Sequence, residues 1–187
     1  MTPIELLAPT YLQMLSALSG WLTKAERQAP AQADALLSAR LAPDMFPLST
    51  QIRFTCAQAL EGLCRVGNEQ LPELRSVLLT EGLGAQDNPG SLADAQARIE
   101  QTVALLRSLS AGTSNAQGDA AIAHEIPNGM VFDLTVDQYA RDWAMAQFYF
   151  HLMTAYAILR NQGIALGKAD YVAHMFQYLR PGTMPSH

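Results

Sequence analysis

The feature that most constrains the fold is the spacing of apolar residues, which recur every three or four positions along four long stretches of the chain. In the first stretch, Leu7, Tyr11, Met14 and Leu18 fall on one face of a helix. Such a face is stable only when it is buried against another element. The four stretches are residues 4–22, 48–67, 91–109 and 135–161. Together they predict an all-α fold, a four-helix bundle with additional short helices.

The starts of these helices are marked by residues that satisfy free backbone N–H groups. Thr2 with Glu5, and Thr135 with Gln138, have the spacing of capping boxes before the first and fourth helices. Pro47 is well placed for the first turn of the second helix. Ser91 is the expected N-cap residue of the third helix. The sequence therefore predicts where all four helices begin.

The connections between the helices differ in length. Residues 68–90 are rich in Pro and Gly and are interpreted as a connector with one helical turn at 73–79. The longest break covers residues 110–134, where Asn128-Gly129 predicts a tight turn that closes one small β-hairpin before the fourth helix. A loop of this length inside a compact domain is often functional or covers a site.

The length and composition fit one domain. A chain of 187 residues with 49% hydrophobic and 16% charged residues can bury one core and is not typical of disorder. We predict a single helical bundle domain over residues 1–180, which includes short helices at 31–41 and 171–178. A flexible C-terminal tail is predicted over residues 181–187.

Charge and hydropathy exclude several partners. The net charge is −5 and the arginines are scattered singly, so nucleic acid is not expected as a partner. Residues 4–22 are apolar but contain Glu5 and Pro9, and they predict neither a signal peptide nor a membrane span. A cytoplasmic protein is expected, in which Cys56 and Cys64 are reduced, buried thiols.

No motif with a defined chemistry is present. The chain has no Gly-rich phosphate loop, no HExxH, no GxSxG and no CxxC sequence. Its four histidines, at positions 124, 151, 174 and 187, include no pair with the spacing of metal ligands on a helix. The motifs alone leave open whether the protein is an enzyme.

Two parts of the sequence carry a family resemblance. Residues 148–163, continued by 167–171, resemble the C-terminal signature of a bacterial family catalogued as domain of unknown function nineteen ninety-three. Residues 41–51 resemble the start of the second helix in the same family. This family is a branch of the DinB and YfiT-like four-helix bundles and has no established activity. The resemblance covers nearly the whole chain and implies a DinB-like bundle.

The resemblance also implies a position for a metal site. The wider DinB-like group holds a divalent metal with one histidine from the second helix and two, four residues apart, from the fourth. By this resemblance His151 takes the second position of that pair, Gln147 the first, and Gln51 the position on the second helix. A carboxamide is a poor ligand for zinc or nickel. The implied site is therefore a degenerate Gln/Gln/His site with no metal or, if it binds one, with His151 as the ligand.

Each of these residues also has a purely structural interpretation. His151 is either a ligand or general acid–base group at the base of a bundle pocket, or a hydrogen-bonded histidine of the core. Gln51 and Gln147 are either the polar floor of a small-molecule pocket or partners in a hydrogen bond between helices that fixes the bundle register.

Three other residues are candidates for the same pocket. Asp44 is either a catalytic carboxylate near the pocket mouth or a cap for the following helix. Tyr139 and Tyr156 bring hydroxyl groups to the pocket if their side chains point inward.

Three functional hypotheses follow. The first is a small-molecule-binding or scaffold protein, a homodimer with no cofactor and no membrane partner. The alternative is a metal-dependent enzyme of the thiol-transferase or hydrolase type, with Zn or Ni, in which His151 acts with Asp44 or Asp142. A third is a purely structural oligomeric partner, which a large apolar surface without a pocket would indicate.

Overall fold

The computed structural model describes residues 1–112 and 117–183. The first half of the described chain is almost entirely helical, with α1 at Pro3–Gln28, α2 at Leu48–Gly67, α3 at Glu73–Gly84 and α4 at Leu92–Gly112. Two 3₁₀ segments, Pro30–Gln32 and Ala35–Ser38, connect α1 to α2. Residues 184–187 of the predicted tail lie outside the described residues.

The fourth long helix is interrupted by a wider turn. It begins with α5 at Val136–Gln138, continues through a π-helical turn at Tyr139–Ala144, and becomes α6 at Met145–Asn161. After it come a short α7 at Lys168–Tyr171 and a 3₁₀ segment at Ala173–Tyr178. Both predicted capping boxes, at Thr2 and Thr135, are present.

A two-stranded hairpin lies before the fourth helix, as the sequence predicts. Strand β1, Ala121–Glu125, pairs antiparallel with β2, Val131–Thr135. The turn is closed by the Gly129 N–H, which donates to the carbonyl oxygen of Ile126 at 2.9 Å. Gly129 has a φ of +84°, a conformation that glycine adopts without strain.

The core lies between the long helices, and α2 is the central element because it packs against α1, α3, α4 and α6. This arrangement confirms the all-α four-helix bundle. Its largest fully buried side chains are Trp21, Tyr11, Tyr139, Phe148, Leu7, Leu15, Leu18, Leu22, Leu37, Leu48, Ile52 and Leu60. Cys56 and Cys64 are buried free thiols in this core, and burial raises their pKa values to about 12 and about 11.

The prediction of a connector with one helical turn at 73–79 is wrong. Glu73–Gly84 is a 12-residue helix, and it is fixed to α2 by polar contacts as well as by packing. The Thr50 hydroxyl donates to the carbonyl oxygen of Gly82 at 2.7 Å, and Arg75 donates to the Glu61 carboxylate. Among the described residues, no helix combines the length and apolar character needed to cross a membrane.

Candidate functional site

The residues that the family resemblance selects meet between α2 and α6. Gln51, in the first turn of α2, and His151, near the middle of α6, are both buried. Nδ1 of His151 lies 2.8 Å from Oε1 of Gln51. The two helices are therefore joined by a buried hydrogen bond at the position where the resemblance places metal ligands.

The partners of Gln51 determine which imidazole nitrogen carries the proton. Nε2 of Gln51 donates to the carbonyl oxygen of Phe46 at 3.3 Å, so Oε1 is the amide atom that faces His151. An amide oxygen only accepts hydrogen bonds. Nδ1 of His151 is consequently the donor, and Nε2 keeps its lone pair.

Aromatic rings surround the imidazole. The rings of Phe54 and Phe150 each meet it edge-on with centroids 5.2 Å apart, and Phe46 contacts Phe54 at 5.7 Å. We call Phe46, Phe54 and Phe150, with His151 among them, the aromatic surface. Burial lowers the pKa of His151 to about 4, so the imidazole is neutral near pH 7.

The donor set does not fit the metal site that the resemblance implies. Gln147 is half-buried one helical turn before His151, and its side chain makes no hydrogen bond to the described residues. Of the three implied positions, only position 151 holds a histidine, and the Nδ1–H group of its imidazole already donates a hydrogen bond to Oε1 of Gln51. Within residues 1–112 and 117–183, no three His, Cys, Asp or Glu side chains are grouped so as to hold a metal ion.

The carboxylates suggested as partners of His151 lie elsewhere. Asp44 is exposed in the bend before α2 and does not cap that helix, whose N-cap residue is Pro47. The cap interpretation of Asp44 is therefore wrong. Asp142 is exposed and paired with Arg141, whose Nη2 donates to it at 2.7 Å.

The two tyrosines do not bring their rings to the Gln51–His151 pair. Tyr139 lies twelve residues before His151, which corresponds to about 18 Å along a helix axis. Its ring contacts His124 at 5.2 Å. Tyr156 packs edge-on against Trp21 at 5.2 Å, on the side of the bundle that faces α1.

A second buried polar region surrounds Tyr139, and the sequence analysis did not identify it. His124 of β1 is 3% exposed, and neither of its ring nitrogens has a hydrogen-bond partner in the described structure. The hydroxyls of Tyr139 and Tyr11 are also buried without partners, and burial raises the pKa values of both. The His124 ring packs against Trp143 at 4.5 Å, which attaches the hairpin to the π-helical turn.

The ion cluster next to this region holds α3 in place. Glu61 is almost fully buried and accepts hydrogen bonds from Nε of Arg65 at 2.8 Å and Nη2 of Arg75 at 2.6 Å. Burial alone would raise the pKa of Glu61, but the hydrogen bonds from Arg75 and Arg65 lower it. The spacing of Glu61 and Arg65, four residues apart, was the one sequence signal for this cluster.

Two clefts lie away from the Gln51–His151 pair. One, of about 490 Å³, lies among α2, α3 and α4 and has Arg53 and Arg98 in its wall. The other, of about 580 Å³, is formed by α1 with the C-terminal segments and includes Trp21 and His174.

The fold and this site define a DinB-like helical bundle in which a hydrogen bond joins the positions of the implied metal ligands. In agreement, the chain resembles the crystal structure of a DinB family member protein from Shewanella denitrificans. The two are 29% identical, the match covers 95% of this chain and 93% of that one, and the TM-score is 0.68.

The family model described as "Domain of unknown function (DUF1993)" matches residues 5–172, and the chain belongs to that family. The family and the bundle predicted from residues 41–51 and 148–171 are thereby confirmed. No curated protein matches the chain.

Proposed function

We propose that this protein is a metal-independent binding or scaffold protein, built on a DinB-like bundle, that recognises small molecules through His151. The observation that carries the proposal is the hydrogen bond from His151 Nδ1 to Gln51 Oε1. It uses the donor capacity of the imidazole and orients the ring without a metal ion.

The chemistry of the site indicates which ligands it suits. His151 is neutral and its Nε2 is an acceptor, so it favours a ligand with an O–H or N–H donor. The ring of Phe46, 45% exposed and packed against Phe54, offers an apolar contact at the edge of the aromatic surface. A small molecule with a donor group on an apolar body matches this surface.

We also propose a homodimer and a cytoplasmic location. The dimer is supported by Phe150, which is 61% exposed on the aromatic surface, because large aromatic side chains are enriched at protein interfaces. The location is supported by the two buried free thiols, which suit a reducing compartment.

The first experiment is a metal analysis of protein purified without chelator. We expect zinc, nickel and iron far below one ion per chain, and no change in His151→Ala. Stoichiometric metal that disappears in His151→Ala would contradict the proposal. The double variant Gln51→His/Gln147→His is the positive control, since it supplies the two missing imidazoles and should acquire zinc.

A nitrogen NMR spectrum of the imidazole tests the same proposal without any metal. We expect His151 to show a protonated Nδ1 and an unprotonated Nε2 at pH 7. In Gln51→Leu the amide acceptor is absent, and the two tautomers should become mixed. A wild-type ring protonated at Nε2 would contradict the proposed ligand preference.

A further inference from the structure

The cleft among α2, α3 and α4 contains a buried arginine with an unused donor. Arg53 is only 4% exposed. Its Nε donates to Glu81 at 3.3 Å and its Nη1 to the Ser49 hydroxyl at 2.8 Å. Nη2 has no hydrogen-bond partner among the described residues. Arg53 lines the cleft, and its Nη2 is open to solvent there, so a ligand that accepts a hydrogen bond from Nη2 takes the place of water at a charged donor.

Gly90 leaves this donor uncovered because it has no side chain. A Cβ atom at position 90 would lie 3.0 Å from Nη2 of Arg53 and 3.4 Å from Oδ2 of Asp94, which is too close for a methyl group unless its neighbours move. Glycine therefore leaves only a narrow gap between the guanidinium and the carboxylate, and it keeps both groups accessible from the cleft. Gly90 also lines the 490 Å³ cleft, so the gap is continuous with a volume typical of small-molecule sites.

The charges around the cleft are balanced. Arg98 donates to Glu81 through Nε at 3.1 Å and also through Nη2, and these bonds lower the pKa of Glu81. Asp94 accepts from the backbone N–H and hydroxyl of Ser91, which hold its pKa low. Two cations and two anions thus line the cleft. A ligand with a single charge is attracted by one pair of these side chains and repelled by the other pair. A ligand that carries both charges can place its anionic group near an arginine and its cationic group near a carboxylate.

We propose that this cleft binds a small zwitterion of the amino-acid class, with its carboxylate on Nη2 of Arg53 and its ammonium group beside Asp94. The site is separate from the Gln51–His151 pair and does not depend on the function proposed for it. Arginine suits the carboxylate because its planar N–H donors match that group, and Asp94 supplies the opposite charge.

The experiment is an NMR titration of isotopically labelled protein with pools of the twenty common amino acids, and separately with acetate and with methylammonium. We expect at least one amino acid to cause saturable shifts at the Gly90 amide and the Arg53 Nε–H. Acetate and methylammonium should bind roughly tenfold more weakly, because each engages one side of the gap.

Two glycine variants test the position of the site. Gly90→Ala places a methyl group in the gap and should abolish binding. Its matched control is Gly163→Ala. The φ of Gly163 is +84°, close to the +72° of Gly90, but apart from its chain neighbours no atom of the described residues lies within 4 Å of an added Cβ, so this variant should bind as the wild type does. Because the positive φ strains alanine to a similar extent at both positions, a loss of binding in Gly90→Ala alone would come from the methyl group in the gap and not from the backbone.

A charge variant tests the ammonium contact. Asp94→Asn keeps the shape and the bonds to Ser91 but removes the negative charge, so amino-acid affinity should fall roughly tenfold while acetate affinity does not fall. The proposal is overturned if no pool gives saturable shifts, if Gly90→Ala binds as the wild type does, or if acetate binds as tightly as any amino acid.

Discussion

At the scale of single residues, the Gln51–His151 pair shows how a buried imidazole can be oriented by a neighbouring helix. Oε1 of Gln51 accepts the hydrogen bond from His151, and Nε2 of Gln51 donates to the carbonyl oxygen of Phe46. The hydrogen bond to Gln51 provides a partner for Nδ1 of the imidazole, while Phe54 and Phe150 pack against the ring and shield it from water. The result is a histidine that is neutral near pH 7 for a structural reason.

This burial predicts a dependence of stability on pH. The folded state holds the pKa of His151 at about 4, whereas an unfolded histidine titrates near 6.5. Below about pH 6.5 the unfolded state therefore binds more protons than the folded state. The contribution of the neutral ring to stability is complete above that pH and is lost as the pH falls towards 4, by up to about 3 kcal/mol.

Urea unfolding at a series of pH values from 7.5 to 4 measures this effect. The control is His151→Gln, which keeps an N–H donor for Gln51 and does not titrate. The wild type should lose stability relative to this variant as the pH is lowered. Parallel curves for the two proteins would show that His151 does not titrate as described.

The sequence predicted these residues to different degrees. It offered a hydrogen bond between helices as one interpretation of Gln51, and that bond is present. It did not find the buried His124, because β1 contributes an isolated histidine whose neighbours come from distant parts of the chain. Periodicity identifies the buried face of a helix, but it does not identify which side chains meet across elements.

At the scale of elements, α2 is central because small residues let its neighbours approach closely. Gly62 lies under the hydroxyl of Tyr11 from α1 and next to Ala144 of the π-helical turn. A Cβ at position 62 would be 2.6 Å from the Tyr11 oxygen and 3.2 Å from the Ala144 Cβ. Packing of this density leaves no room for one more methyl group.

We expect Gly62→Ala to destabilise the protein by about 1–3 kcal/mol, because the overpacked side chains must move. The matched control is Gly20→Ala in α1, where, apart from the backbone of the same helix, no atom of the described residues lies within 4 Å of the added Cβ. That variant should stabilise by roughly 0.5–1 kcal/mol, since alanine favours the helix. Urea unfolding measures both, and equal effects would contradict this account of the α2 packing.

The length of α3, which the sequence predicted as one turn at 73–79, was underestimated for a physical reason. Only Leu78 and Gly82 in it are buried, so its apolar pattern is weak. It is attached to α2 instead by two polar contacts. Arg75 donates a hydrogen bond to the Glu61 carboxylate, and the Thr50 hydroxyl donates one to the carbonyl oxygen of Gly82. The spacing of apolar residues predicts helices that bury an apolar face. It does not predict the length of a helix that is attached to its neighbour mainly through polar contacts.

At the scale of the whole molecule, the bundle and its hairpin were predictable because local signals agreed with each other. Four apolar stripes, two capping boxes and one Asn-Gly turn specify the number and order of the main elements. The cleft among α2, α3 and α4 was not predictable, since Arg53 comes from α2 while Gly90 and Asp94 come from around the start of α4, about forty residues later in the chain. Their arrangement depends on how α3 and α4 pack on α2.

Phe150 on the aromatic surface is the residue expected to join two copies of the chain. A stable dimer usually buries about 800 Å² on each partner, with large apolar side chains at the centre. Phe150 is 61% exposed within the aromatic surface. We therefore expect light scattering after gel filtration to give twice the mass of one chain, and expect Phe150→Ser to give a monomer.

Val131→Ser is the control for this experiment, because Val131 is a similarly exposed apolar residue, at 54%, on the hairpin rather than on the aromatic surface. It should leave the dimer intact. If Val131→Ser dissociates the protein and Phe150→Ser does not, then the hairpin, and not the aromatic surface, joins the two copies. A monomeric wild type would contradict the proposed dimer.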